Sequence, residues 1–289
     1  MYTNFNPRTM GLNQYSYEKQ LVAAGQAGFK GIEVPAGAFG TPEKARFEKE
    51  KLDRMGMRFG LIMAPCDLYK VTDQEFETAL KEFDQWAHLA RIAGCERAYN
   101  HIWSGSNDRD YEENFEWHIR RLTLIYRVLR DNGIRYGLEF MGAQTIREQF
   151  IYEFVCSLMG VVSLTREVSS EIGFVFDTIH WYTSGSRKDD LYYAAKHPGQ
   201  IINLHLCDAN ASREKQIDAE RGMPMENGII NSVEIVKLLG ENGYDGPVII
   251  EPMKPTTTRY ETMPLEAAAS EAISCLHAIF DAAGVSDDA

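Results

Sequence analysis

Four short apolar runs in this chain each end on a side chain able to hold a metal ion. Gly173-Phe174-Val175-Phe176 runs into Asp177, with His180 three residues further on. Ile134 to Leu138 runs into Glu139, Ile201 to Leu204 into His205, and Val248 to Ile250 into Glu251. Apolar runs this short, bounded by polar residues, read as buried parallel strands. Parallel strands need long crossovers, usually helices, and α/β barrels keep their chemistry at the carboxyl ends of the strands.

The rest of the chain supplies the crossovers. Thr9 to Leu12 reads as a short first strand, and Ser16 to Ala27 as a helix through Tyr17, Leu21 and Ala24 that Gly28 closes. Lys30 to Val34 is a strand ending near Glu33. Thr41-Pro42 starts a helix to about Met55, with a capping hydroxyl and proline at the first position. Arg58 to Met63 is the third strand, with Ala64-Pro65-Cys66-Asp67 as its loop. Thr72 or Asp73 caps a helix to Ala93, and Arg97 to Asn100 leads into His101-Ile102-Trp103. Helices are then expected at Asp110 to Asn132, at about Arg147 to Ser170, at Asp189 to Lys196, at Ser232 to Gly240 and at Pro264 to Ala283. A polar loop is expected after Asp177, a long polar segment over Asp208 to Gly228, and a small acidic tail that frays.

About eight strand–helix units result, with no linker rich in Pro, Gly or Ser. The 289 residues suit one α/β barrel, which needs about 250. No glycine-rich phosphate loop follows the first strand, which argues against a doubly wound open sheet. The expected fold is α/β, a single (β/α)8 TIM barrel over residues 1–289.

Composition narrows the partners. Acidic residues number 42 against 30 basic, a net charge of −12 that repels polyphosphate, so nucleic acid is not expected. No apolar run approaches the roughly 20 residues that span a bilayer, and the opening residues lack the basic-then-apolar form of a signal peptide. Cys66, Cys95, Cys156, Cys207 and Cys275 contain no close pair and read as reduced thiols, so a cytoplasmic protein is expected, without a membrane partner.

One acid after a strand says little, since most are solvated or salt-bridged. The set says more. In a barrel Glu139, Asp177, His205 and Glu251 converge on one mouth, and three carboxylates packed together repel unless a cation compensates. One divalent metal ion is expected there. Mixed oxygen and imidazole donors suit Mn2+, the first expectation, or Co2+, Mg2+ or Zn2+. His180 and Asp208 each follow a ligand candidate by three residues and read as contacts to the ligands or to substrate. His101 either hydrogen-bonds substrate, acts as an acid or base, or packs. Trp103, Trp181 and Tyr182 either stack on a sugar ring or pack loop against loop. His88, His118, His197 and His277 fall away from that face and are assigned no function.

Gly137-Leu138-Glu139, Asp177-Thr178-Ile179-His180, His205-Leu206-Cys207-Asp208 and Pro247-Val248-Ile249-Ile250-Glu251-Pro252 resemble the sugar phosphate isomerase/epimerase superfamily. This is the xylose-isomerase-like TIM barrel group that includes ketose 3-epimerases, hydroxypyruvate isomerase, inosose dehydratase and endonuclease IV. The resemblance covers nearly the whole chain, including Gly28-Phe29-Lys30-Gly31-Ile32-Glu33. It implies metal ligands at Glu139, Asp177, His205 and Glu251, with Glu139 and Glu251 also the acid/base pair. It implies substrate contacts at His180 and Arg221. Met223-Pro224-Met225-Glu226-Asn227-Gly228 lacks the first glycine of the family's loop, which leaves Arg213 as a rival to Arg221.

The expected activity is a metal-dependent sugar isomerase or epimerase on a keto-sugar or related polyhydroxy carbonyl compound. A small-molecule carbohydrate substrate and a homo-oligomer follow from the same resemblance. The alternative is a lyase or dehydratase of the inosose-dehydratase kind. A DNA repair enzyme like endonuclease IV fits less well, because Cys66-Asp67 stands where that branch has a histidine.

Overall fold

The computed structural model describes residues 1–66 and 71–288. Asp67, expected in the loop after the third strand, lies outside the described residues. The described chain alternates β1 (Tyr2–Phe5), α1 (Tyr17–Ala27), β2 (Gly31–Ile32), α2 (Pro42–Arg54), β3 (Arg58–Phe59, resuming at Ile62–Met63), α3 (Asp73–Ile92), β4 (Arg97–Ile102) and α4 (Tyr111–Asp131). It continues with β5 (Arg135–Phe140), α5 (Leu158–Arg166), β6 (Gly173–Asp177), α6 (Lys188–Lys196), β7 (Ile201–Leu206), α7 (Ser232–Glu241), β8 (Pro247–Ile250) and α8 (Leu265–Ala283). Every strand pairs in parallel with the next, and Tyr2 of β1 lies opposite Pro247 of β8, so the sheet closes into a TIM barrel.

β3 shows how the closure is made. Its first half pairs with β2 and its second half with β4, the change of partner falling at Gly60-Leu61. A side chain at Gly60 would sit 1.8 Å from the Asn4 Oδ1 on β1, so only glycine fits there.

Period-two alternation sorts the strand side chains into two layers. Leu61, Tyr99, Val175 and Ile202, with Met63, form a small cluster of their own inside the barrel. Leu138, Phe140, Phe174, Phe176, Leu204, Val248 and Ile250 belong to the large core between strands and helices. Val175 being inward places Asp177, two residues on, inward as well.

Helix boundaries follow local chemistry. Thr72 and Asp110 each close a capping box, with Glu75 and Glu113 as the reciprocal partners. Gly28 ends α1 in the left-handed region at φ 98°. Among the described residues no helix is long and apolar enough to cross a membrane.

Four expectations are corrected. The first strand is Tyr2–Phe5, and Thr9 turns away, its hydroxyl donating to the Ile250 carbonyl at 3.0 Å. The polar Asn4 masks β1 in the sequence, yet it points between Gly31 and Gly60. The single helix over 147–170 is instead a short turn Gln144–Arg147, a strand Tyr152–Glu153 paired antiparallel with Gly105–Ser106, and α5 capped by Ser157. After Asp177 the chain enters a helix at once, Thr178–Thr183, because the Asp177 side chain caps it. The acidic tail is pinned: Asp287 accepts hydrogen bonds from the Thr3 N–H and hydroxyl at 2.8 and 2.9 Å.

Candidate metal centre

Glu139, Asp177 and His205 are carried by β5, β6 and β7, and Glu251 follows β8 directly, its N–H continuing the ladder to the Leu206 carbonyl. One donor atom from each of the four lies within 4.8 Å of the others, and all four side chains are buried. His205 Nδ1 stands 3.0 Å from Glu139 Oε1 and 3.0 Å from Glu251 Oε2. His205 lies directly beside Asp177 in the ladder, and His101 directly beside Glu139.

The donor set fits a divalent cation. Three buried carboxylates and an imidazole crowd one point, a combination that hard oxygen-loving ions of the Mn2+ or Mg2+ type and borderline ions of the Zn2+ type both accept.

The electrostatics show how tightly the groups are coupled. Burial pushes the Glu139 carboxyl up, but the His205 charge and hydrogen bonds from His101 and His205 outweigh it and hold the group well below the usual range. Glu251 is held at about 2 by His205 and Arg221 against the same burial. Asp177 goes the other way: burial and its two glutamate neighbours raise it well above the usual range despite Arg221. Burial pulls the His205 imidazole down, but Glu139 and Glu251 prevail and raise it.

Arg221, fully buried, comes in from the loop after β7. Its Nη1 donates to Asp177 Oδ2 and to Glu251 Oε2, both at 3.0 Å, and its Nη2 to Asp218 Oδ1 at 2.8 Å. Arg213 instead lies over the Tyr182 ring and donates to the Ser186 hydroxyl. His180 Nε2 is 3.6 Å from Asp177 Oδ2, and its Nδ1 accepts from the Gly142 N–H at 3.2 Å. Arg221 Nη2 stands 3.5 Å from His180 Nε2. Burial holds His180 at about 4, which keeps the ring neutral. His101 Nε2 reaches Glu139 Oε2 at 3.0 Å.

The remaining sequence candidates are placed differently. Asp208 has both oxygens committed to backbone: Oδ1 accepts from Ala209 and Ile230, and Oδ2 from Asn227 and Gly228, at 2.7 to 2.9 Å. That is an anchor for the loop, not a free substrate contact. Trp181 turns outward, its Nε1 donating to the Arg187 carbonyl and its ring lining a hollow of about 180 Å³ with Leu191, Ile235 and Leu238. Trp103 stays at the mouth, 36% exposed, beside Phe150. Sequence reasoning passed over Asp218, which joins Arg221 and His180, because nothing in its surroundings along the chain marks it. It also gave no role to Glu33, although Glu33 follows β2 by the same strand-end rule as the four candidate ligands.

The chain has clear relatives. The model of the xylose isomerase-like TIM barrel family matches residues 21–279. An inosose isomerase of Halalkalibacterium halodurans is 26% identical over 137 residues, 47% of this chain and 46% of that protein. A xylose isomerase domain protein from Alicyclobacillus acidocaldarius subsp. acidocaldarius superposes with a TM-score of 0.83 at 24% identity, over 98% of this chain and 99% of the other. The IOLI protein, solved with a bound zinc atom, gives 0.75 at 17% identity over 96% and 98%. Both structural likenesses establish the fold. The chain spans about half the length of the curated relatives it matches.

Proposed function

This chain belongs to the xylose isomerase-like TIM barrel family, and from that premise we propose that it is a divalent-metal-dependent isomerase or epimerase of a keto-sugar or related polyhydroxy carbonyl compound. The observation that carries the reading is the convergence of Glu139, Asp177, His205 and Glu251 within 4.8 Å at the carboxyl rim of the barrel. The inosose isomerase relative supports a carbonyl-bearing polyol as the substrate class. Mn2+ is the proposed ion, since three of four donors are hard carboxylate oxygens.

When bound by Glu139, Asp177, His205 and Glu251, a divalent cation would supply positive charge beside a substrate carbonyl and so make the adjoining C–H more acidic. Glu139 and Glu251 are the proton carriers. Both stand 3.0 Å from His205 Nδ1, which puts the two carboxylates at one point of the rim. One carboxylate takes the proton, and the other returns one to the opposite face. Return to the neighbouring carbon isomerises instead. His101 holds Glu139 on the solvent side of the rim. Arg221 fixes Asp177 and Glu251 in place, and the neutral His180 stands beside Asp177 as a contact for a substrate oxygen.

The test is deuterium uptake from heavy water into a panel of keto-sugars by the Mn2+-loaded protein, repeated after chelation. Exchange that a chelator abolishes and Mn2+ restores is the expected result. No uptake across the panel by protein that binds Mn2+ tightly would sink the reading. The same samples separate the elimination alternative, since a dehydratase or lyase releases water or an aglycone instead of a stereoisomer.

A further inference from the structure

The metal candidates occupy only one side of the barrel mouth. Across from them lie three residues that no part of the proton-transfer scheme uses: Arg8 after β1, Glu33 after β2 and Tyr99 on β4. The Glu33 side chain is 14% exposed, and its Oε1 stands 3.8 Å from Arg8 Nε. Arg8 Nη2 donates to the Tyr99 hydroxyl at 3.0 Å. The Tyr99 ring presents an edge contact to both His101 and His205, with centroids 5.8 and 6.0 Å apart. The three residues thus form a wall that touches the metal side of the mouth through two imidazoles.

Glu33 Oε2 is buried and has no hydrogen-bond partner among the described residues. A purely structural Arg8–Glu33 pair accounts for this poorly. A contact of 3.8 Å with a half-exposed arginine adds little stability. A buried acceptor left without a partner costs more than such a contact returns. Burial pushes the Glu33 carboxyl up, with Arg8 and His205 opposing and Glu251 adding to the push, so Glu33 lies within electrostatic reach of the metal candidates. An acceptor at the mouth of a site, costly when unsatisfied, is what a substrate donor would satisfy.

We propose that Glu33 is a specificity-determining residue whose carboxylate accepts a hydrogen bond from a hydroxyl of an uncharged polyhydroxy substrate, with Tyr99 positioning Arg8 and Arg8 the carboxylate. The inference rests on the metal-dependent proton-transfer reading and names the substrate class for it. Both guanidiniums that contact the site's carboxylates are already matched, Arg221 by Asp177, Asp218 and Glu251, and Arg8 by Glu33. Neither guanidinium is therefore left over to pair a phosphate or carboxylate on the substrate, whereas a neutral hydroxyl needs no cation and can donate to Glu33.

The experiment compares wild type, Glu33→Ala and Glu33→Gln, all loaded with Mn2+, using D-fructose and the best exchanging neutral keto-sugar of the panel, and D-fructose 6-phosphate as the anionic probe. Mn2+ affinity and melting temperature are measured alongside. The expected result is a KM for the neutral sugar raised about ten- to a hundredfold in Glu33→Ala, the loss of one hydrogen bond to a charged acceptor. Glu33→Gln, which keeps the shape and an acceptor oxygen, raises it less. In both variants kcat stays within about threefold, Mn2+ affinity is unchanged, and the phosphorylated sugar is the poorer substrate of the wild type. Normal exchange with an unmoved KM in Glu33→Ala overturns this inference alone, as does a preference for the phosphorylated sugar or a matching loss of Mn2+ affinity. Absence of exchange in wild type that binds Mn2+ overturns the proton-transfer reading, and this inference with it.

Discussion

The carboxyl rim of the barrel and the helical layer at α4 each bury a histidine almost completely, and the two rings are pushed in opposite directions. His205 on the rim lies between two carboxylates, which raise it against the pull of burial. His118 on α4 stacks on Phe154 with centroids 4.8 Å apart, and burial brings it down to about 4, with Arg109 and Arg121 adding to the effect. Its Nδ1–H donates to the Asn114 carbonyl at 2.7 Å, so the ring is held as one neutral tautomer. Burial is common to both, so the neighbours decide the charge. The rim packs like-charged groups at short range, an arrangement suited to holding a cation and moving protons. The α4 layer packs rings and guanidiniums for cohesion, with Arg109 and Arg121 each 4.2 Å from the Trp117 ring.

If that contrast is sound, changes on the rim remove chemistry and leave the fold, and changes in the packed body of the barrel do the reverse. The largest effect is expected from Glu139→Gln and Glu251→Gln. Each keeps the side-chain shape and loses the proton carrier, lowering exchange by about 10²–10⁴-fold. Circular dichroism should show both variants folded; a collapse of the fold with either would erase the distinction. Gly173→Ala should act oppositely. Its Cβ would lie 1.9 Å from the Gln200 carbonyl oxygen, a backbone atom that cannot step aside. A loss of roughly 3 kcal/mol or more is expected in denaturant unfolding. A loss under about 1 kcal/mol would show the strand contact to be loose.

The third prediction uses His118. Its folded value of about 4 is below the ordinary 6.5, so the unfolded chain binds the proton more readily between those limits. Stability from this group is therefore complete above about pH 6.5 and is lost as pH falls toward 4, by on the order of 3 kcal/mol. His118→Phe keeps the ring stack and cannot take a proton, so its unfolding free energy should fall less than that of wild type over the same interval. Parallel pH profiles for the two proteins would show that the ring is not held neutral.

Much of the packed body and half of the rim were legible along the chain. Capping residues such as Thr41, Thr72 and Asp110 announce helices because they satisfy backbone N–H groups two or three residues away. The strand-end rule found Glu139, Asp177, His205 and Glu251 because β5 to β8 are mostly apolar strands of four to six residues. The same rule passes over β1, where Asn4 interrupts the run, and it gives Glu33 no role after the two-residue β2. The hairpin at 152–153 was hidden inside an apolar stretch, its pairing partner far back at Gly105–Ser106.

What the sequence determined by itself is therefore local: which segments are strands and helices, where most helices begin and end, and which side chains close the long strands. These depend on residue periods and on hydrogen bonds spanning a few positions. Tertiary structure alone decided that Arg221 bridges Asp177 and Glu251, that Asp208 is occupied by four backbone donors, that Trp181 turns outward, and that a buried oxygen of Glu33 has no hydrogen-bond partner among the described residues. Those outcomes depend on how the ring closes and how each loop returns over it. Closure brings together groups that no period along the chain relates.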